Sequence, residues 1–384
     1  MPNSIENDCK KPITNKQHIE WINTVRVFTL LLVVLGHCDY YNISTPHGGI
    51  NFMPEDSQYC FLYYVIRNIT LFIYTFHMQL FMALSGMCFS FSKLRYATLS
   101  TLTINKFKRL LIPFFAVTTF LSVPLKYLSG YWDHTSSPIY DIIIGQYLLI
   151  HGNSHLWFLV TLFIVFLLFY LMNKHIKVFN LLFWGILVFL SIFIHPLISA
   201  QIGSGLGLAN ASKYLLFFSI GFITFNWFHK KTISVFIILL SWIGMLLSFY
   251  IFLKNKSRLD YPIFLYIKQI INILFALWGS FNMIITCKIV SKSRLIHTNI
   301  YHIFSKYNYK LYLYSDPFNY IIILALIKFL DKNLFVSDTL YCISYVIRFV
   351  GTITLPLLII YTENKIHICI SKRITTKRKR IAIQ

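Results

Sequence analysis

Residues 19–40 read IEWINTVRVFTLLLVVLGHCDY, and this apolar run is long enough to cross a bilayer. Two titratable side chains, Arg26 and His37, interrupt it. Their spacing of eleven residues corresponds to three helical turns plus roughly 20°, so both side chains leave one face, roughly 16 Å apart along the helix axis. Because titratable groups inside a spanning helix are costly, this face is a candidate functional site.

The composition of the whole chain indicates an integral membrane protein. Of its 384 residues, 57% are hydrophobic and only 12% are charged, whereas about 25% is usual for a soluble domain. The net charge of +22 therefore points to positive cytoplasmic loops and an anionic membrane surface rather than to nucleic acid. The seven cysteines are scattered and form no CxxC pair, so we expect neither a disulfide framework nor a metal site.

Hydropathy predicts an all-α, polytopic membrane protein with about ten transmembrane helices, each near the roughly 20 residues that a bilayer needs. Lysine and arginine in the short loops predict that both termini are cytoplasmic. We expect a polar cytoplasmic segment at 1–18 without a cleaved signal peptide, a membrane domain at 19–361 and a basic cytoplasmic tail at 362–384. A re-entrant segment near 139–150 would alter this count. The predicted spans are 20–40, 70–92, 110–130, 155–173, 179–196, 213–228, 232–253, 263–287, 309–329 and 338–361.

The two polar residues of the first span each permit two interpretations. An imidazole such as His37 can take a proton from a hydroxyl and return it near neutral pH, or it can simply hydrogen-bond a neighbouring helix. Arg26 can extend its side chain to the membrane surface, or it can face a phosphate-bearing ligand. Asp39 could orient His37 only if the helix ends there.

The segment FHMQLFMALSGMCFSFSK, residues 76–93, places polar and small residues in an apolar run. The pair Ser85 and Gly86 permits a close approach of two helices, or it leaves space for a thin ligand. His77 either packs in the core or lines a site. Both remain candidates for substrate binding.

A basic stretch, NKFKRLLIPFF, precedes the third predicted span. Lys106 and Arg109 are three residues apart, so we expect both on one helical face at the membrane surface. A positive inner loop is expected in any case, but such a face would also suit a phosphorylated nucleotide. Pro113 is expected to kink or to begin the third span.

Two later segments contain further candidates. His155 and Trp157, in HGNSHLWFL, form either part of an interfacial aromatic belt or an acceptor site that stacks a sugar. In LYLYSDPFNY, Asp316 within an apolar run calls for a partner, and Pro317 breaks the backbone hydrogen bonds beside it. This second segment is more typical of a functional site.

Taken in order, these segments resemble the acyltransferase-3 family of bacterial integral membrane O-acyltransferases, as a stand-alone member. The motif of its first span, arginine or lysine, ten residues and then histidine, matches Arg26 and His37. Its FHMPLFFFLSG-like segment matches 76–86, with Gln79 where proline is usual. Its basic loop before Leu-Ile-Pro matches 106–113.

The later family motifs match less completely. The HLWFL start of a span matches 155–159. The IYLLH-x-P segment matches 312–317 only in part, because Ser315 stands where histidine is frequent. Ser315 or Asp316 would then replace that histidine.

The resemblance implies transfer of an acetyl or other short acyl group from acetyl-CoA to a hydroxyl of a cell-surface glycan or lipid-linked sugar, in the bacterial inner membrane. Arg26 would hold the donor, while Lys106 and Arg109 would contact CoA phosphates. His37 would be the general base or a transient acyl carrier. The candidates for substrate binding are His77, Ser85, His155, Trp157, Ser315 and Asp316.

Two other functions are alternatives to acyl transfer. A transporter or exporter of a polysaccharide or lipid-linked glycan would also have ten spans and buried polar residues, but the sequence shows neither repeated halves nor paired broken helices. A non-catalytic membrane scaffold leaves Arg26, His37 and Asp316 unexplained.

Overall fold

A computed structural model describes residues 17–53, 59–92, 96–259, 264–330 and 333–381 of the chain. These residues form a helical bundle with one two-stranded sheet. Ten of its helical segments are long and apolar enough to cross a membrane, so the predicted all-α membrane fold is confirmed. The cytoplasmic placement of the termini stays a prediction, and residues 1–16 and 382–384 lie outside the described residues.

The helices follow the chain as an antiparallel series of spans. The first half contains α1 (Gln17–His37), strands β1 (Asn42–Thr45) and β2 (Gly48–Asn51), α2 (Phe61–Tyr74), α3 (His77–Ser92), α4 (Leu99–Lys106), α5 (Ile112–Val117), α6 (Val123–Leu128), α7 (Pro138–Ile142) and α8 (Trp157–His175). The second half contains α9 (Leu181–Phe189), α10 (His195–Ile202), α11 (Leu208–Lys230), α12 (Val235–Leu259), α13 (Leu265–Val290), α14 (Asn299–Leu330), α15 (Asn333–Val336) and α16 (Asp338–Ile381).

Several helices extend beyond their predicted spans. The second span begins at Phe61 rather than near residue 70, and it is interrupted between α2 and α3. α14 has 32 residues, or roughly 48 Å at 1.5 Å per residue, which exceeds the roughly 30 Å of a bilayer core. Hydropathy detects only the apolar part of such helices. The segment near 139–150 contains the short helix α7 and a π-helical turn and is not among the ten spans.

Three π-helical turns each end two residues before a proline. They span Phe107–Leu111, Thr118–Ser122 and Leu190–Ile194, and they precede Pro113, Pro124 and Pro196. Proline has no N–H and so cannot continue the normal hydrogen-bond ladder. Pro113 was expected to kink or begin the third span, but it lies well inside the helical segment Leu99–Leu128.

The hydroxyl of Tyr309 compensates for the missing donor of Pro113. The carbonyl oxygen of Arg109, four residues before the proline, accepts a hydrogen bond from Tyr309 Oη at 2.6 Å. A carbonyl freed by proline is thus satisfied by a side chain of α14, as a membrane interior requires. The contact ties the third span to the ninth.

A close helix crossing joins α3 to α11. A Cβ atom added at Gly86 would lie 1.9 Å from the carbonyl oxygen of Phe218, and one added at Gly221 would lie 1.9 Å from that of Ala83. Only glycine permits such an approach of two backbones. The close packing predicted at Ser85 and Gly86 is therefore present, and the Ser85 hydroxyl donates to Phe81 O of its own helix at 2.9 Å.

This crossing predicts a strong dependence of stability on Gly221. We expect Gly221→Val to lower the free energy of unfolding by about 1–3 kcal/mol or more, because overpacking forces the backbones apart. The measurement is the thermal midpoint in detergent. Gly185→Val is the matched control, since no atom lies within 4 Å of a Cβ added there. Equal midpoints for the two variants would contradict the predicted crossing.

The β1–β2 hairpin lies over the end of the bundle at which α1 terminates, and we call this end the hairpin side. Its strands are antiparallel, with Ile43 opposite Ile50. Gly49 N–H donates to Tyr131 O at 2.8 Å, and Trp132 Nε1–H donates to His47 O at 3.1 Å. The hairpin is therefore fixed to the loop that follows α6.

Candidate functional site

A carboxylate from α14 joins two histidines that are distant in sequence. His37, the last residue of α1, places Nδ1 2.8 Å from Asp316 Oδ1. His155, just before α8, places Nδ1 3.4 Å from Asp316 Oδ2, but this nitrogen has no hydrogen-bond partner. Asp316 and His155 are buried, whereas the side chain of His37 keeps 20% of its surface exposed. The structure thus brings three predicted site residues together.

The contact between His37 and Asp316 determines which nitrogen is available for chemistry. A carboxylate can only accept, so Nδ1 of a neutral His37 carries the proton and donates it to Asp316. Nε2 then holds the lone pair, and no hydrogen bond from the described part of the chain occupies it. A carboxylate-held imidazole with a free Nε2 is the arrangement of a general base.

Pro317 explains why His155 lies beside Asp316. Proline cannot bond the carbonyl four residues earlier, which is that of Leu313. This oxygen instead accepts a hydrogen bond from His155 Nε2 at 3.1 Å, and Tyr312 Oη donates to His155 O at 3.0 Å. The carbonyl oxygen that Pro317 leaves free therefore binds His155, the third residue of the cluster.

Arg348 of α16 holds the end of α1 in place. It is 1% exposed, and its Nη2 donates to His37 O at 3.3 Å and to Tyr40 O at 3.0 Å. Its Nε donates to Asn319 Oδ1 at 3.1 Å, and the guanidinium lies over the Tyr41 ring at 4.5 Å. A cation at a helix C-terminus is favourable, so Arg348 fixes the backbone that carries His37.

Lys126 of α6 is the second buried cation near the carboxylate. Its Nζ donates to Gln146 Oε1 at 3.0 Å and to Asn153 O, and it lies within 5 Å of the Tyr131 and Tyr320 ring centroids. It interacts electrostatically with Asp316. Neither Lys126 nor Arg348 was among the predicted site residues, although a charged residue within an apolar run is a signal that could have identified both.

The space in front of His37 is small and is lined in part by the hairpin. The cavity has about 10 Å³ of free volume, roughly the room for one water molecule. Ile43 and Ile50 of the hairpin line it together with His37, Asp316 and Arg348. A substrate larger than a water molecule would therefore need the hairpin or the neighbouring side chains to move before it could fill this space.

A row of aromatic rings connects His37 with His77. The ring centroids of His37 and Tyr40 are 5.3 Å apart, those of Tyr40 and Tyr74 are 5.9 Å apart, and those of Tyr74 and His77 are 4.5 Å apart. His77 is buried and its Nδ1 pairs with Ile73 O at 2.9 Å. It lies behind Tyr74 and does not line the cavity in front of His37.

Asp39 does not orient His37. Although α1 ends at His37, the Asp39 carboxylate accepts from Arg67 Nη1 at 3.2 Å and from Tyr341 Oη at 3.1 Å. Burial raises the pKa of the Asp39 carboxyl, and the bonds from Arg67 and Tyr341 oppose that shift. Asp39 therefore belongs to the framework around the end of α1.

Arg26 lies among polar groups near the opposite end of α1. Its Nη2 donates to Cys88 Sγ at 2.9 Å and its Nη1 approaches Asn23 Oδ1 at 3.4 Å. Asn308 Nδ2 donates to Arg26 O at 3.1 Å, so α14 contacts α1 here as well as at His37. The guanidinium therefore contacts neighbouring polar groups and does not simply extend to the membrane surface. Its role in holding the acyl donor stays a prediction.

Lys106 and Arg109 differ in their surroundings. Lys106 Nζ lies 3.6 Å from the centroid of the Phe166 ring and 5.3 Å from that of Tyr96, whereas Arg109 is exposed. A π-helical turn begins at Phe107, between the two residues, and changes the angle that a regular helix would give. The two cations still interact electrostatically.

The remaining candidates lie around this site rather than in it. Trp157 packs on Tyr214 with centroids 5.5 Å apart, and Ser315 is buried in α14 beside Asp316. The Ser85 hydroxyl bonds within its own helix. Among the residues that the structure describes, no group of three or more His, Cys, Asp or Glu side chains could hold a metal ion.

The fold and the site define a polytopic membrane protein in which a partly exposed histidine is paired with a buried aspartate, an arrangement suited to proton transfer. A family model for an acyltransferase domain matches residues 19–361. The chain therefore belongs to the acyltransferase-3 family, and it is a membrane acyltransferase. Comparisons with curated proteins and with solved structures gave no match.

Proposed function

We propose that this protein transfers an acetyl or other short acyl group from acetyl-CoA to a hydroxyl of a cell-surface glycan or lipid-linked sugar, in a bacterial inner membrane. The observation that supports this most directly is the contact of 2.8 Å between His37 Nδ1 and Asp316 Oδ1, which leaves Nε2 of His37 free as a base. Family membership supports acyl transfer as the reaction.

In the proposed reaction, Nε2 of His37 removes the proton of the acceptor hydroxyl while its oxygen attacks the thioester carbonyl. A C–O bond forms, and the resulting tetrahedral oxyanion collapses with cleavage of the C–S bond. The departing thiolate takes the proton from His37, so the base is regenerated. Asp316 stabilises the imidazolium between these steps, and the buried cation of Arg348 faces the developing negative charge from the cavity wall.

The proposed donor path runs along α1 from Arg26 to His37. The two residues lie roughly 16 Å apart along the helix axis, so a long, thin arm would be needed to carry a thioester between them. Arg26 would orient this arm beside Cys88, and the exposed Arg109 would meet a phosphate at its outer end. Lys106 would have to leave the Phe166 ring to join Arg109.

His37→Ala is expected to reduce acyl transfer by at least about 100-fold, because the general base is removed. The measurement is the acetyl content of the host's surface glycans after complementation of a deletion strain, at matched protein levels in the membrane. His302→Ala, which changes an exposed histidine of α14, is the matched control.

The same experiment separates the enzyme from a transporter. Loss of acetyl groups with an unchanged amount of glycan supports acyl transfer. Restoration of acetylation by His37→Ala, or a change only in the amount of exported glycan, would refute the catalytic assignment. A labelled acyl group retained on wild-type protein after incubation with donor alone would identify His37 as an acyl carrier if His37→Ala lacks it.

A further inference from the structure

Lys126 is a buried cation whose hydrogen bonds go only to uncharged groups. Its side chain is fully buried near the end of α6, within the third span. Among the ion pairs of the described chain, none includes it. Its Nζ donates to Gln146 Oε1 at 3.0 Å and to Asn153 O. These acceptors satisfy the ammonium group but leave its charge unbalanced, and an unbalanced charge inside a membrane protein is costly.

Asp316 supplies the opposite charge. Within the described residues it is the one carboxylate that interacts electrostatically with Lys126, and the main charge partners of Asp316 are His37, His155 and Lys126. Lys126 Nζ lies 4.9 Å from the centroid of the Tyr320 ring, and Tyr320 follows Asp316 by one turn on the same face of α14. The ammonium group therefore lies beside the part of α14 that carries the carboxylate.

The same ammonium group holds the segment that carries His155. Asn153, whose carbonyl oxygen it binds, precedes His155 by two residues. Burial lowers the pKa of His155 to about 4, so this imidazole is neutral near pH 7. His155 therefore brings a hydrogen-bonding group to the site but no charge to balance Asp316.

The other cation near the pair is compensated elsewhere. Arg348 donates to two carbonyl oxygens at the end of α1 and to Asn319, where the negative end of the helix dipole favours a cation. The remaining titratable neighbours are phenol, thiol and imidazole groups, which are largely uncharged above about pH 7 at their ordinary pKa values. They are Cys38 and Tyr40 of α1, Tyr74 of α2, His77 of α3, Tyr131 after α6, and Tyr312 and Tyr320 of α14.

We propose that Lys126 is the counter-ion of Asp316 and a positioning residue for the reaction, because its charge keeps Nε2 of His37 unprotonated. With a neutral His37, an ionised Asp316 and a charged Lys126, the three groups together have no net charge. A further proton on His37 would place a second positive charge near the ammonium group, which like-charge repulsion disfavours. This inference rests on the proposed function of His37 as the base.

The test follows the protonation of His37 by NMR, in full-length protein with isotopically labelled histidine in phosphatidylcholine nanodiscs, from about pH 5 to about pH 9. The His37 signal is identified by its absence from His37→Ala. We expect His37 to take up its proton at a pH at least about 0.5 unit higher in Lys126→Gln than in wild type, because a nearby positive charge is gone.

The controls for this measurement are two further lysine variants. Lys126→Arg keeps the charge and should titrate as wild type does. Lys328→Gln changes an exposed lysine of α14 and should also leave the titration of His37 unchanged. Equal titration midpoints of His37 in Lys126→Gln and Lys328→Gln would overturn the proposal.

A second measurement separates the charge of Lys126 from its hydrogen bonds. Membrane vesicles from the complemented deletion strain receive labelled acetyl-CoA, and the label in glycan is measured over the same pH range. We expect Lys126→Gln to be at least about threefold slower than wild type at acidic pH and to recover at alkaline pH, where Nε2 is free in both proteins. Lys126→Met should show the same pH dependence with a lower thermal midpoint. An equal loss at every pH would indicate a purely structural role and refute the proposal.

The NMR measurement requires no acyl transfer, so the two proposals fail separately. An unchanged titration of His37 in Lys126→Gln, with normal acyl transfer by wild type, would overturn only the role of Lys126. A shifted titration in Lys126→Gln, with no acyl transfer by wild type, would refute the proposed function and leave Lys126 as the counter-ion of Asp316.

Discussion

Asp316→Asn is expected to reduce kcat by about 10³- to 10⁴-fold, the size of effect seen when a carboxylate that holds a catalytic imidazole becomes an amide. The amide would donate its N–H to Nδ1 of His37 and so stabilise the tautomer in which Nε2 carries the proton. The lone pair needed for proton removal would then be absent, although every helix stays in place.

The kinetic pattern separates this effect from general damage to the protein. The KM for the acyl donor should change little, because Arg26 lies roughly 16 Å away along α1, and the thermal midpoint should stay close to that of wild type. Asp133→Asn, at an exposed carboxylate after α6, is the matched control. A loss of less than tenfold, or one confined to KM, would show that Asp316 does not set the tautomer of His37.

Arg348→Met is expected to lower the stability of the protein by several kcal/mol as well as its activity. The substitution leaves three buried acceptors without their donor, namely the carbonyl oxygens of His37 and Tyr40 and the side-chain oxygen of Asn319. Each buried acceptor that loses its partner costs about 1–3 kcal/mol. The measurements are the thermal midpoint in detergent and the acyl-transfer rate.

Two further variants give this experiment its controls. Arg348→Lys keeps the charge and part of the hydrogen bonding but loses the planar guanidinium with its several donors. We therefore expect a thermal midpoint between those of wild type and Arg348→Met. Arg294→Met changes an exposed arginine and should leave both stability and rate unchanged. If Arg348→Met matched Arg294→Met, the end of α1 would have to be held by other contacts.

The sequence allowed the spans and part of the site to be predicted because both depend on local chemistry. Twenty apolar residues specify a membrane helix wherever they occur, and the spacing of Arg26 and His37 fixes their common face. Asp316 could be recognised as needing a partner because an isolated carboxylate in a membrane is costly. None of these arguments requires knowledge of how the helices pack.

The partners themselves could not be predicted, since they depend on which helices are neighbours. Nothing local indicates that Asp316 meets His37 of α1 and His155 before α8. The cost of burying a charge marks Arg348 as unusual in the sequence. It does not indicate that Arg348 lies at the end of α1. The common face predicted for Lys106 and Arg109 assumed a regular helix, whereas a π-helical turn begins at Phe107 between them.

The small volume of the cavity in front of His37 has a consequence for how much acyl donor would be lost to hydrolysis. Water is the most abundant competitor for any activated thioester, and a base that deprotonates a sugar hydroxyl can also deprotonate water. A space that holds about one solvent molecule and is lined by Ile43 and Ile50 would offer few chances for hydrolysis of the donor before the acceptor binds. Selectivity for the proposed sugar acceptor over water would then come from occupancy of the space rather than from the reactivity of His37.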